Sequence, residues 1–288
     1  ATLIKLWHHC HDHPPFTTQT PSGGAVMSWR ITPTYDGLVS DADATAYLAA
    51  VQAADGQLLE PAVRIAVNNF IVGCKADGIW TAIKASCILA GARTLAGALV
   101  PLTGAAPANI GPFVSGDYNR KIGLVGNGTT KHLDSNRAAN SDPRDNMHIA
   151  VAFYVANPPA STRLIGAYSG AGTADDFLGN NVAINNLRCR SAAPASTITL
   201  GLGLYGVSRT ASNSFSIRVG GTNAAGATTT STIPGSRTYF VFAQNDNGTA
   251  FERTSTRLAF YSIGESLDLA LLDARVSALI TAFGVAIP

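Results

Sequence analysis

Four of the chain's six histidines and one thiol fall in six consecutive residues, His8-His9-Cys10-His11-Asp12-His13. Neutral imidazole and thiolate are ligands for Zn²⁺, Ni²⁺ or Cu²⁺. In an extended chain alternate side chains share a side, which groups His9, His11 and His13 as a candidate divalent-metal site. A symmetric oligomer would gather such side chains from several copies around one ion. The competing reading is an interface arm whose histidines hydrogen-bond to neighbouring surfaces. No other cofactor is implied, and without an H-E-x-x-H pattern a catalytic zinc is not expected.

Other chemistry finds few residues to carry it. Cleaving a glycoside takes two carboxylates across a sugar site. The chain has only three glutamates, Glu60, Glu252 and Glu265, and no alternating acidic pattern on one strand. Asp175-Asp176 is an adjacent pair that a strand would send to opposite faces, so a solvated turn or a Ca²⁺ contact is the expected setting. There is no G-x-S-x-G, and outside the arm only His132 and His148 remain; His148, opening an apolar strand, reads as a satisfied structural histidine. The glycine pairs at 201–203 and 220–221 lack the capped helix and lysine of a phosphate loop. No catalytic residue is therefore nominated, and the chain is expected not to be an enzyme. Sugar recognition needs aromatics beside amides, and Tyr168, Tyr205, Asn245 and Asn247 are the candidate glycan contacts.

The elements that must position these residues change character along the chain. Residues 1–40 form an extended arm rich in His, Pro and Thr. Residues 41–103 are expected to be helical: Ala44–Ala54 capped by Asp41 or Asp43, Pro61–Ala76 with Pro61 in its first turn, and Ile79–Ala90 ending at Gly91. From 104 to 288 the apolar period falls from near four to two. Strands are expected at His148–Val155, Arg163–Tyr168, Asn181–Arg190, Thr197–Ser208, Ser214–Val219, Thr228–Ile233, Thr238–Ala243 and Arg257–Ile263. Tyr239–Ala243 is apolar on both faces and reads as a central strand. Asn127-Gly128 predicts a type I′ hairpin. A closing helix, capped by Ser266, would turn Leu267, Leu271, Ala274, Ala278 and Phe283 to the core. The fold class is thus an antiparallel jelly-roll β-sandwich, mainly β, with a helical region before it and a helix closing it.

Composition bounds the partners. Hydrophobic residues make up 46% of the 288 and charged residues 13%, with a net charge of +2. That excludes a disordered chain and offers no broad field for nucleic acid. No uninterrupted apolar run reaches the length of a membrane span, so no membrane insertion is expected. Cys10, Cys74, Cys87 and Cys189 are scattered; Cys74 and Cys87 read as small buried hydrophobes. The N-terminus lacks a secretory signal pattern, and Ala1 reads as a trimmed or processed start. Arginine outnumbers lysine 15 to 5, and aspartate outnumbers glutamate 15 to 3. The side chains whose immobilisation costs most entropy are the scarce ones, which suits a surface covered by neighbours.

Three stretches carry a family resemblance: Phe113-Val114-Ser115-Gly116-Asp117-Tyr118-Asn119-Arg120, then Gly123-Leu124-Val125-Gly126-Asn127-Gly128 with Lys131, then Arg257-Leu258-Ala259-Phe260-Tyr261-Ser262-Ile263-Gly264 with Leu267-Asp268 and the closing helix. From about Ala44 onward, including Phe70 to Trp80, the chain resembles tailed-phage structural proteins with a laminin-G-like or concanavalin-like jelly roll. The resemblance implies a non-enzymatic virion subunit of a tail, fibre or head decoration. Its partners would be copies of itself and other structural subunits. A carbohydrate-binding module for host-surface glycan, or a subunit of an extracellular or cell-surface filament, is the alternative.

Overall fold

The computed structural model describes residues 39–180, 187–191 and 201–288, so the arm with His9, His11 and His13 lies outside the described residues, as does most of Asn181–Arg190 and the start of Thr197–Ser208. The Asp41 side chain caps α1 (Ala42–Asp55) by accepting from the Asp43 and Ala44 N–H groups. Pro61 opens α2 (Pro61–Ala76), whose Val63, Val67, Phe70, Ile71 and Cys74 form the buried stripe.

The third expected helix is not there. After a 3₁₀ turn at Trp80–Ala82 the chain enters β1 (Ile83–Ile88). Its apolar run is buried on both faces, and a short run of that kind does not distinguish a helix from an inner strand. A brief α3 (Leu95–Ala98) follows, then β2 (Ala108–Ile110), β3 (Tyr118–Asn119), β4 (Gly123–Val125), β5 (His132–Ala138) and β6 (Met147–Phe153). Next come β7 (Thr162–Tyr168), β8 (Asp175–Asn180), β9 (Leu187–Arg188), β10 (Gly203–Ala211), β11 (Ser214–Val219) and β12 (Thr222–Ala227). The chain closes with β13 (Thr238–Val241), β14 (Gln244–Asp246), β15 (Thr249–Phe251), β16 (Arg257–Leu258), β17 (Phe260–Gly264) and α4 (Leu269–Ala286).

These strands build the expected sandwich. A six-stranded sheet runs β1-β17-β6-β10-β11-β12, and an eight-stranded sheet runs β15-β14-β7-β13-β5-β2 with β8 and β9 beside β7. Pairing is antiparallel except between β14 and β7. A small sheet joins β16, β4 and β3, so the expected strand Arg257–Ile263 is split between two sheets at Ala259.

Strands β1, β17, β6 and most of β10 in the six-stranded sheet are buried on both faces. Ile149, Val151 and Phe153 of β6 and Tyr261 and Ile263 of β17 point between the sheets. Ala150, Ala152, Ala259 and Phe260 point to the helices, where Phe260 meets Phe70 edge-on at 5.9 Å. Small residues on the helix side let α4 approach closely: a Cβ at Gly206 would sit 3.0 Å from Leu269 Cδ2.

Two further expectations are corrected. Asp268, not Ser266, caps α4, and its buried face is Leu269, Leu272, Val276, Leu279, Ile280 and Phe283, while Leu271 is exposed. The helix is apolar nearly all round, so spacing alone does not pick its inner face. Asn127-Gly128 makes no hairpin, since β4 pairs β3 and β16. The Asn127 side chain instead accepts from the Thr129, Thr130 and Lys131 N–H groups. The primed hairpin belongs to Asn247 and Gly248, with φ of 48° and 101°, joining β14 to β15. Cys74, Cys87 and Cys189 are buried thiols, and burial pushes Cys87 up to about 12.

Candidate binding face

The helices pack on the six-stranded sheet, so among the described residues the outer face of the eight-stranded sheet is the one without a helix on it. Strand alternation decides what that face shows. In β8, Leu178 turns inward to the core and Asp176 turns inward to Tyr239 and Arg190. Asp175 and Phe177 therefore turn outward. The register sets Phe177 beside Gly166 and Arg188, and Asp175 beside Tyr168. Gln244 and Asp246 of β14 lie beside Gly166 and Tyr168.

The result is a charged cluster around one ring. Phe177 belongs to neither apolar core; the guanidinium of Arg163 covers it at 4.0 Å and that of Arg188 stands at 5.3 Å. Asp175 accepts from Arg188 Nη1 at 2.6 Å and from Gln244 Nε2 at 2.5 Å. Glu252 accepts the Arg163 backbone N–H through its carbonyl at 2.6 Å and sets a carboxylate oxygen 2.8 Å from Arg163 Nη1. Glu252 holds a left-handed backbone, φ 46°, which a non-glycine residue adopts only where its surroundings enforce it. Gly166 lets the cluster close up over the strand: a Cβ there would meet Phe177 Cβ at 2.6 Å and Gln244 Cγ at 3.1 Å.

Electrostatics follow from partial burial. Desolvation raises the Asp175 carboxyl to about 6 against the opposing pull of Arg188. Desolvation also lowers Arg163, which Glu252 and Asp175 counteract. Several polar atoms on this sheet are buried without a hydrogen-bond partner: Arg163 Nε and Nη1, Arg188 Nε, Glu252 Oε2 and His132 Nδ1. The Arg163–Glu252 contact is close enough for an ion pair but is not aligned as a hydrogen bond. Further along the sheet, His132 stacks on Phe240 at 4.5 Å, with burial first and Arg253 second holding its pKa below the usual range.

The four candidate glycan contacts divide. Tyr168 is half-buried on this face, and its carbonyl accepts the Asn247 N–H at 2.8 Å. Asn247 is exposed at the hairpin tip, where its side-chain oxygen accepts from Arg237. Tyr205 is corrected: it is fully buried between the sheets, its ring 6.2 Å from Phe153. Asn245 is also buried, its side chain donating to the Thr238 carbonyl and accepting the Gly248 N–H, which fixes the turn. The Asp175-Asp176 turn is a strand start instead. His148 is structural as expected, bonded to the Glu265 carbonyl and Ser262 Oγ, and burial lowers it to about 4. Among the described residues no group of three or more His, Cys, Asp or Glu is placed to hold a metal.

Arg163, Phe177, Arg188, Gln244 and Glu252 were not singled out by residue type. The alternation of Asp175-Asp176-Phe177-Leu178 signals only that Asp175 and Phe177 share a face once the segment is a strand; strand pairing brings the others beside them. A cleft of about 560 Å³ between β11, β12 and the start of α4 is lined by small hydroxyl and aliphatic residues, and its Asp268 is committed to capping the helix.

No family model and no curated protein matches the chain. Solved structures similar to it include the CBM40 of Ruminococcus gnavus IT-sialidase bound to alpha2,3 sialyllactose, at 14% identity and TM-score 0.36, covering 51% of this chain and 91% of that one. A mutant of Trypanosoma rangeli sialidase displaying trans-sialidase activity is similar at 16% identity and TM-score 0.43, covering 74% and 39%. Domain 4 of AbnA, a Geobacillus stearothermophilus arabinanase, is similar at 14% identity and TM-score 0.37, covering 62% and 82%. The chain spans about a quarter of the length of the Streptococcus pneumoniae NanB sialidase structures it also resembles. The sandwich itself rests on the strand pairing described above.

Proposed function

We propose that the chain is a non-catalytic glycan-binding module that takes its ligand on the outer face of the eight-stranded sheet. The observation that supports this most is the set of buried, unpartnered guanidinium nitrogens around Phe177, on a face without a helix over it. Buried donors without acceptors are costly, and a ligand rich in oxygen atoms would satisfy them. Both carboxylates of the cluster are tied to guanidiniums, an arrangement suited to holding a ligand rather than to moving protons. Binding to a glycan array, followed by titration of Tyr168→Ala and Arg188→Gln, tests the reading. Loss of at least tenfold in affinity in both variants is expected; an array without binding, or binding indifferent to both changes, refutes it.

A separate observation favours a second role as an assembling subunit. Strand β12 ends the six-stranded sheet, is largely exposed, and carries no charged residue from Thr222 to Ala227. Such an edge is a template for another strand. Under this reading the chain is a building block of a particle, the role implied by the resemblance to phage proteins.

A further inference from the structure

We propose that the glycan bound on this face is an acidic one, and that its carboxylate docks on the Nε edge of Arg188; this rests on the glycan-binding reading above. Arg188 commits Nη1 to Asp175 at 2.6 Å, while its Nε is buried and finds no acceptor. Arg163 repeats the pattern: Nη1 faces Glu252, and Nε is unpartnered. The Nε–H and the neighbouring Nη2–H of a guanidinium point the same way, at the spacing of the two oxygens of a carboxylate. A sugar hydroxyl supplies one neutral acceptor at that edge, whereas a carboxylate fills both positions and adds charge.

The same geometry disfavours a neutral sugar held by stacking. Phe177 is 2% exposed, and Arg163 occupies the space over its ring. Apolar contact falls to Tyr168 at the rim. Arg163 and Arg188 face Glu252 and Asp175 across β7, β8, β9 and the segment after β15, with Asp246 of β14 beside Tyr168, so the selection falls to the two open Nε edges rather than to net charge. A carboxylate on the Nε edge leaves the Arg188–Asp175 pair in place, because that pair uses Nη1.

The test compares matched ligands at pH 7 with the full chain: oligogalacturonate and its methyl ester, sialyllactose and lactose, and hyaluronate and its carboxyl-reduced form. At least one acidic member is expected to bind tenfold or more tighter than its neutral counterpart. Arg188→Gln is expected to bring the pair to equal affinity, and Arg188→Lys to restore only part of the difference, since an ammonium lacks the fork. Equal binding within every pair, or a preference that survives Arg188→Gln, overturns the acidic-ligand inference and leaves glycan binding intact. No binding to any member overturns both. Should Arg188→Gln fail to fold, Asp175→Asn serves instead: removing the negative neighbour is expected to tighten the acidic ligand several-fold, and an unchanged or weakened affinity counts against the inference.

Discussion

Two neighbouring aspartates show how far one peptide unit can separate chemical roles. Asp176 is fully buried, as is its partner Arg190, with Nη1 at 2.5 Å and the Tyr239 hydroxyl at 2.9 Å. Arg190 also donates to the Ala139 carbonyl at 2.6 Å. Asp176→Ala strands a buried guanidinium, and a loss of about 3–5 kcal/mol is expected in urea unfolding. Asp175 sits on the outer face, and its raised carboxyl works against His148 in acid. His148 is neutral in the fold down to about pH 4, whereas an unfolded histidine takes its proton near 6.5. The stability it confers is complete above 6.5 and is lost as pH falls toward 4, a change of about 3 kcal/mol. Asp175 has the opposite sign: the fold holds its proton below about 6 and the unfolded chain only below 3.8, so stability rises as pH falls through that window. Asp175→Asn should therefore steepen the acid loss between pH 6 and 4. A thermal-melt series in which the variant and the parent fall in parallel would refute this.

At the scale of elements, patterns with one polar face were legible and patterns apolar on every side were not. Phe215, Ile217 and Val219 alternate with more exposed neighbours, as β11 requires. Tyr239–Val241 is inner, as expected from its two apolar faces. The segment Ile83–Ile88 failed because Cys87 and Ile88 fit a helical stripe and an inner strand equally well; the pairing of Ser86 with Ser262 decides it, and that partner is remote in the chain. The same cause hid the inner face of α4. Leu272→Ala on that face is expected to cost about 2–5 kcal/mol, against less than 1 kcal/mol for the exposed Leu271→Ala, measured by chemical denaturation. The candidate site was partly legible: Tyr168 and Asn247 share an edge, but Tyr205 had the same sequence appearance and is core. Gly248 carries the hairpin tip at φ 101°, so Gly248→Val is expected to destabilise by more than 1 kcal/mol.

At the scale of the molecule, β12 offers an exposed, uncharged sheet edge fit for self-pairing. Light scattering of the purified chain is expected to show concentration-dependent association that Ala225→Lys on β12 abolishes, since a charge on an edge strand opposes pairing. A parent chain that remains monomeric at millimolar concentration removes this role.

The six-stranded sheet also sets a schedule. Its edge strand β1 pairs with β17, as Cys87 with Tyr261, and β17 in turn lies against β6. The Ser86 hydroxyl reaches a carbonyl 175 residues away. During synthesis β1 and β6 leave the ribosome long before the strand that belongs between them, and contacts of such separation form slowly. Until Phe260 and its neighbours arrive, both strands expose apolar faces and unpaired backbone, so the nascent chain spends its growth in a form that invites chaperones or aggregation.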